Sequence, residues 1–159
     1  MIRKLWFVWM FAMICLPPTA SADVVLDWNA TLRNMMQQDG THPVNKANPG
    51  WSARSLAVLN GAIYDAFQAT NRTHKPFLVD TRALPSTSLN AAVHQAAYEL
   101  LLHCYPDEQG MLDADYQARM SAIPGGLEKT NGMDLGHSIA HAYKLNREGD
   151  HADESFPYT

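Results

Sequence analysis

Apolar residues recur every three or four positions along most of this chain, and breaks in that rhythm divide it into five helical stretches. Val25, Trp28, Leu32 and the Met35/Met36 pair predict a first helix over about Val24 to Gln38, with Gly40 as its stop. The segment THPVNKANPG has two prolines, a glycine and no period, which makes it a loop. A second helix starts near Trp51 or Ser52. In it Leu56, Leu59, Ile63 and Phe67 fall at i, i+3, i+7 and i+11, beside Ala62 and Ala66, so this side is expected to be buried.

After the loop RTHKPFLVDTRALPST, Ser88 has the residue type of an N-cap, and Leu89, Val93, Ala96/Ala97, Leu100 and Cys104 repeat at helical spacing. Tyr105-Pro106 ends that helix. Asp107 is expected to cap a fourth, with Leu112, Tyr116, Met120 and Ile123 as its stripe and Pro124-Gly125-Gly126 as its stop. The fifth runs from about Leu127 to Arg147 and sets Gly132, Leu135, Gly136, Ile139 and Tyr143 on one face; Gly149 closes it. Glycines four apart allow a neighbouring helix to approach closely. No stretch alternates as a strand would, and there is no internal repeat. The expected fold is an all-α bundle of about five helices spanning residues 23–150, followed by a polar tail at 151–159.

The first 22 residues break this picture. Arg3 and Lys4 precede an apolar run from Leu5 to Leu16, and small residues end at Ala20-Ser21-Ala22, which is the order of a secretory signal peptide over 1–22, cleaved after Ala22. The apolar run is shorter than the roughly 20 residues a membrane span needs. A periplasmic or secreted location is expected, with no membrane association after cleavage. Beyond the signal one cysteine remains, Cys104, so no internal disulfide can form and packing must supply the stability. The formal net charge of -4 becomes more negative once Arg3 and Lys4 are removed, which argues against nucleic acid as a partner.

Candidate chemistry is sparse. Asp134, His137 and His141 share a face of the fifth helix and could offer three ligands to a metal ion, but that face lies opposite the apolar one and reads better as solvated surface. His94 and His103 flank the apolar stripe of the third helix and are expected at the surface or its boundary. Cys104, among leucines, reads as a buried structural thiol. Arg54 and Asp65 lie eleven residues apart on nearly the same side of the second helix. A rise of 1.5 Å per residue separates their backbones by about 16 Å, so each must find its partner on another segment. There is no Ser/His/Asp grouping, phosphate loop or cysteine cluster.

The segments VVLDWNATLRN, WSARSLAVLNGAIYDAFQAT, LNAAVHQAAYELLLHCYPDEQGMLDADYQARMSAIPGG and KTNGMDLGHSIAHAYKLNREGD, in that order, resemble the amino-terminal helical region of bacterial vanadium-dependent haloperoxidases, a family related to the type 2 phosphatidic acid phosphatases. The most specific pieces are Leu26-Asp27-Trp28-Asn29, the Arg54 to Ala66 stretch with Tyr64-Asp65-Ala66, and Arg147 with Gly149-Asp150. In that family vanadate or a phosphate group is held further along the chain by a Lys with an Arg-Pro, a Ser-Gly-His and an Arg followed by a His. None of these occurs here: Lys75-Pro76 has no Arg-Pro at the required distance, and Gly136-His137-Ser138 is not Ser-Gly-His.

The resemblance therefore implies no catalytic, cofactor-binding or metal residue in this chain. It implies the scaffold half of a truncated or split enzyme, inactive alone. Its expected partners are a catalytic carboxy-terminal half or a second copy meeting its exposed apolar helix faces. A free-standing periplasmic interaction module and a small His-based metal-binding protein are the other two readings.

Overall fold

The computed structural model describes residues 21–38 and 49–151. The expected signal peptide lies outside them except for its last two residues. Five α-helices hold most of the described residues: α1 (Ser21–Gln38), α2 (Pro49–Asn71), α3 (Leu89–Cys104), α4 (Gln109–Ser121) and α5 (Leu127–Arg147). No strand occurs among the described residues, so the chain is an all-α bundle. No described helix is long and apolar enough to cross a membrane.

The bundle is organised around α3, which packs against all four other helices. Its sequence permits this because Ala91, Ala92, Val93, Ala96, Ala97, Leu100, Leu101 and Cys104 are all buried, far more than one stripe. Ser88 starts the helix in extended geometry, its hydroxyl accepting from the Ala91 N–H as expected of an N-cap. The chain leaves α3 at Tyr105, and Pro106 opens a single 3₁₀ turn, Pro106–Glu108, before α4. Asp107 is therefore part of that turn, and no side chain caps α4. Proline at the first position of a tight turn, with a backbone bond from Glu108 N–H to Tyr105 O, takes over the role expected of Asp107.

Helix α2 buries a face rotated from the expected one. Val58, Leu59, Ala62, Ile63, Ala66 and Ala69 enter the core, whereas Leu56 is 40% exposed and Phe67 half-buried. The buried face also carries Asp65, which is fully buried, its carboxylate hydrogen-bonded inside the protein. From α1 come Trp28, Leu32 and Met35, and from α5 Leu135, Ile139, Ala140 and Tyr143.

The tightest seam joins α3 to α5, where Gly132 and Gly136 let backbones meet. A Cβ at Gly132 would lie 2.5 Å from the Ser88 carbonyl oxygen, and one at Gly136 would collide with the Ala92 carbonyl oxygen. Gly132→Ala and Gly136→Ala should each lower stability by about 2–3 kcal/mol despite the gain of ~1 kcal/mol in helix propensity, because backbone cannot move aside as a side chain can. Gly110 in α4 meets nothing within 4 Å, so Gly110→Ala should be neutral or stabilise by up to about 1 kcal/mol. Urea denaturation of the three variants checks both signs.

Candidate functional site

Arg54 and Asp65 do not meet, and each binds a distant segment. Asp65 is 0% exposed. Its Oδ1 accepts from the Phe77 N–H at 2.6 Å, and its Oδ2 from those of Leu78 and Val79 at 3.0 and 2.8 Å. A fourth bond comes from the Tyr143 hydroxyl of α5, 2.9 Å from Oδ2. One buried charge is thus compensated by four donors from two other segments, with no cation involved. Tyr143 reaches it by crossing Gly61, where a Cβ would stand 2.7 Å from the phenol oxygen. Burial and the bond to Asp65 both push the Tyr143 phenol far above its ordinary pKa. Arg54 pairs with Asp150 just beyond α5, its NH2 2.9 Å from Oδ2, and its guanidinium lies over the Trp51 ring.

A second polar centre ties α1 to α3 and α4. The Trp28 indole donates to His94 Nδ1 at 2.9 Å, inside the protein. His94 is 7% exposed, which corrects the boundary position expected from its place beside the apolar stripe. The indole needed a buried acceptor, and a neutral imidazole supplies one. Burial, aided by the nearby Arg119 cation, holds the His94 pKa down at about 4, while Asp115 and Asp27 act in the opposite direction. Arg119 stacks over the other face of Trp28, 4.8 Å from the ring centroid, and bonds Asp27, Asp115 and Thr31.

The third centre is Glu99 on α3. Burial pushes its carboxyl up, but bonds from Lys144, Gln95 and His137 outweigh burial and hold its pKa below the ordinary value. Lys144 Nζ lies 2.7 Å from Oε2 and His137 Nδ1 2.7 Å from Oε1. Gln95 also accepts from Tyr116, whose ring stacks on Tyr98; Tyr98 in turn donates to Asp113, and that bond first, then burial, raises its pKa to about 12. His137 is thereby engaged with α3, while His141 and Asp134 stay exposed beside it. Among the described residues no group of three His, Cys, Asp or Glu side chains is arranged to hold a metal ion. His103 is exposed, and Cys104 is buried and forms no disulfide among the described residues, as its setting among leucines suggested.

Three surface clefts remain. One, between α2 and the following loop, is lined by Ala57, Gly61, Tyr64, Lys75, Pro76 and Phe77. Another lies where α4 gives way to α5; its Lys129 is already bonded to the Met120 and Ile123 carbonyls. In the third, between α1 and α4, Arg119 faces Asp27 and Asp115. Among the described residues each cleft holds a single basic side chain, so these residues do not gather in any of the three the converging cations that a multiply charged oxyanion needs.

Asp65→Asn should cost about 2–4 kcal/mol, since an amide offers one acceptor where two are used and buries unsatisfied donors; Tyr143→Phe, which removes one donor, should cost about 1 kcal/mol. Chemical denaturation measures both. His94 introduces a pH dependence. With its pKa at about 4 in the folded chain and an unfolded value of 6.5, the unfolded state binds more protons between those limits. Stability should therefore fall as pH drops from 6.5 towards 4, by about 3 kcal/mol, and this component should level off below 4. Replacing His94 with Gln should flatten that part of the profile.

Comparison of the chain with models of known protein families, with curated proteins and with solved structures finds no match.

Proposed function

We propose that this bundle is the helical scaffold of an exported protein related to the bacterial vanadium-dependent haloperoxidases and type 2 phosphatidic acid phosphatases, and that it supports an oxyanion-processing unit without performing the chemistry itself. The observation that carries this reading is how the charged side chains are used. Asp65, Arg119, Glu99 and the Arg54–Asp150 pair each cross-link separate segments. Residues committed to holding helices in register are unavailable to bind and release a substrate. Of the positions on which the resemblance rests, Asp27, Trp28, Asn29, Arg54, Asp65 and Asp150 make bonds between separate segments.

A second reading, a free-standing periplasmic module that binds another protein, is favoured by exposed large apolar residues, among them Phe77, Leu84 and Leu127. The two differ in partner, since a scaffold requires a unit bearing the Lys, Arg-Pro and Ser-Gly-His motifs.

Purified alone, the chain should neither oxidise bromide or chloride with hydrogen peroxide and added vanadate nor hydrolyse phosphate monoesters. Losing one oxyanion donor typically costs about 10² to 10³ in rate, and the clefts of the described residues each offer one basic side chain. Co-expression with a catalytic unit of the haloperoxidase type should give a complex that co-purifies and gains activity over that unit alone. Vanadate-dependent halide oxidation by the isolated chain, abolished by His137→Ala or His141→Ala, would overturn the proposal.

A further inference from the structure

Arg54, Ala57, Gly61 and Tyr64 follow one another at intervals of three or four residues and so share one face of α2. At the upper end of this face Arg54 holds Asp150. Ala57, Gly61 and Tyr64 form the floor of an open, mainly apolar cleft of ≈ 680 Å³, with Lys75, Pro76 and Phe77 as its opposite wall. That wall is fixed: Asp65 bonds the backbone of Phe77, Leu78 and Val79, and the Tyr64 hydroxyl donates to the Lys75 carbonyl at 3.0 Å. Phe77 is nonetheless 73% exposed. An aromatic ring held on so constrained a backbone has already lost much of the freedom that docking would otherwise cost it.

The chain arrives beside this cleft from α5. Gly149 and His151 both have left-handed backbone, with φ of 72° and 57°, and they bend the chain around Asp150. The next eight residues, ADESFPYT, place two acids, Asp153 and Glu154, ahead of Phe156, Pro157 and Tyr158. The cleft has the matching character: apolar surface, with Lys75 as the one charged residue lining it among the described residues.

We propose that segment 152–159 is the occupant of this cleft, with its acidic pair facing Lys75 and its Phe156-Pro157-Tyr158 aromatics against Phe77 and the Ala57–Gly61–Tyr64 floor. The reach is sufficient. Arg54 to Tyr64 spans about 15 Å of helix, whereas eight extended residues cover about 26 Å. A second copy packed symmetrically on the cleft would bring two Lys75 ammonium groups together. A small molecule would stay largely uncovered in so open a groove. The proposal is independent of what the bundle scaffolds.

The test uses the full chain carrying Trp6→Phe, Trp9→Phe and Trp51→Phe, with Phe77→Trp as reporter, so that the only other indole is the buried Trp28. Acrylamide, a neutral quencher, is titrated into this protein, into the same protein ending at His151, and into its Lys75→Glu variant. Circular dichroism confirms equal helicity in the three. In the chain with 152–159 present, the reporter should emit further to the blue and its quenching constant should be lower by about half or more than in the shortened chain, as expected for an aromatic taken out of water. Lys75→Glu should shift both readings towards those of the shortened chain. Equal emission and quenching with and without 152–159 would overturn the proposal. Protection that survives the shortening and grows with protein concentration would overturn it too, by showing that a second copy covers the cleft.

Discussion

A carboxylate removed from water must be surrounded by donors, and the way Asp65 meets that demand determines the arrangement around α2. Its oxygens draw in three consecutive backbone N–H groups and the Tyr143 hydroxyl, so the loop after α2 and the C-terminal part of α5 are located by the same group. With no cation in this set, attraction is short-ranged and directional, and geometry is fixed more tightly than by an ion pair. Gly61 belongs to the same constraint, because a side chain there would displace the phenol that reaches Asp65. Helix α2 presents Asp65 to the interior together with Val58, Ala62 and Ala69, and Leu56 is left 40% exposed.

Similar logic governs the other junctions. Trp28 carries one polar atom into the core, and His94 stays neutral to accept its proton while Arg119 covers the ring from the opposite side. Glu99 collects Lys144 and His137 from α5 on the flank of the bundle. Polar side chains thus act where helices from distant parts of the sequence must find one register, and the apolar contacts fill the space between. Such polar specificity adds to a core in which alanines of α2 and α3 lie beside large side chains such as Trp28, Leu100 and Tyr143.

Helix number, approximate limits and the Gly132/Gly136 face were legible because they depend on local chemistry: apolar period, the Ser88 cap, prolines and glycines as stops. The need of Arg54 and Asp65 for separate distant partners was also legible, from helix rise alone. The partners themselves were not, since nothing local to Asp65 marks Tyr143 or the 77–79 backbone as its donors. His94 was misplaced for the same reason. Its neighbours describe the edge of a stripe, and only the arrival of Trp28 from 66 residues away makes the position interior. Glu99 carried no local signal at all, one acid on a helix looking like any other until Lys144 and His137 are brought beside it.

The glycine and alanine seam between α3 and α5 has a consequence for how this chain can change over generations. Where backbones touch, a larger side chain is barred by the opposing carbonyl, and no smaller one exists to substitute for glycine. Drift at such positions has nowhere to go. The Leu and Met positions on the far side of the core face softer neighbours and can exchange volume among themselves. Descendants of this sequence should therefore keep a rigid spine through α3 and α5, while apolar positions of α1 and α4 outside the Trp28–His94–Arg119 junction exchange more readily, so that novelty enters from the periphery of the bundle inward.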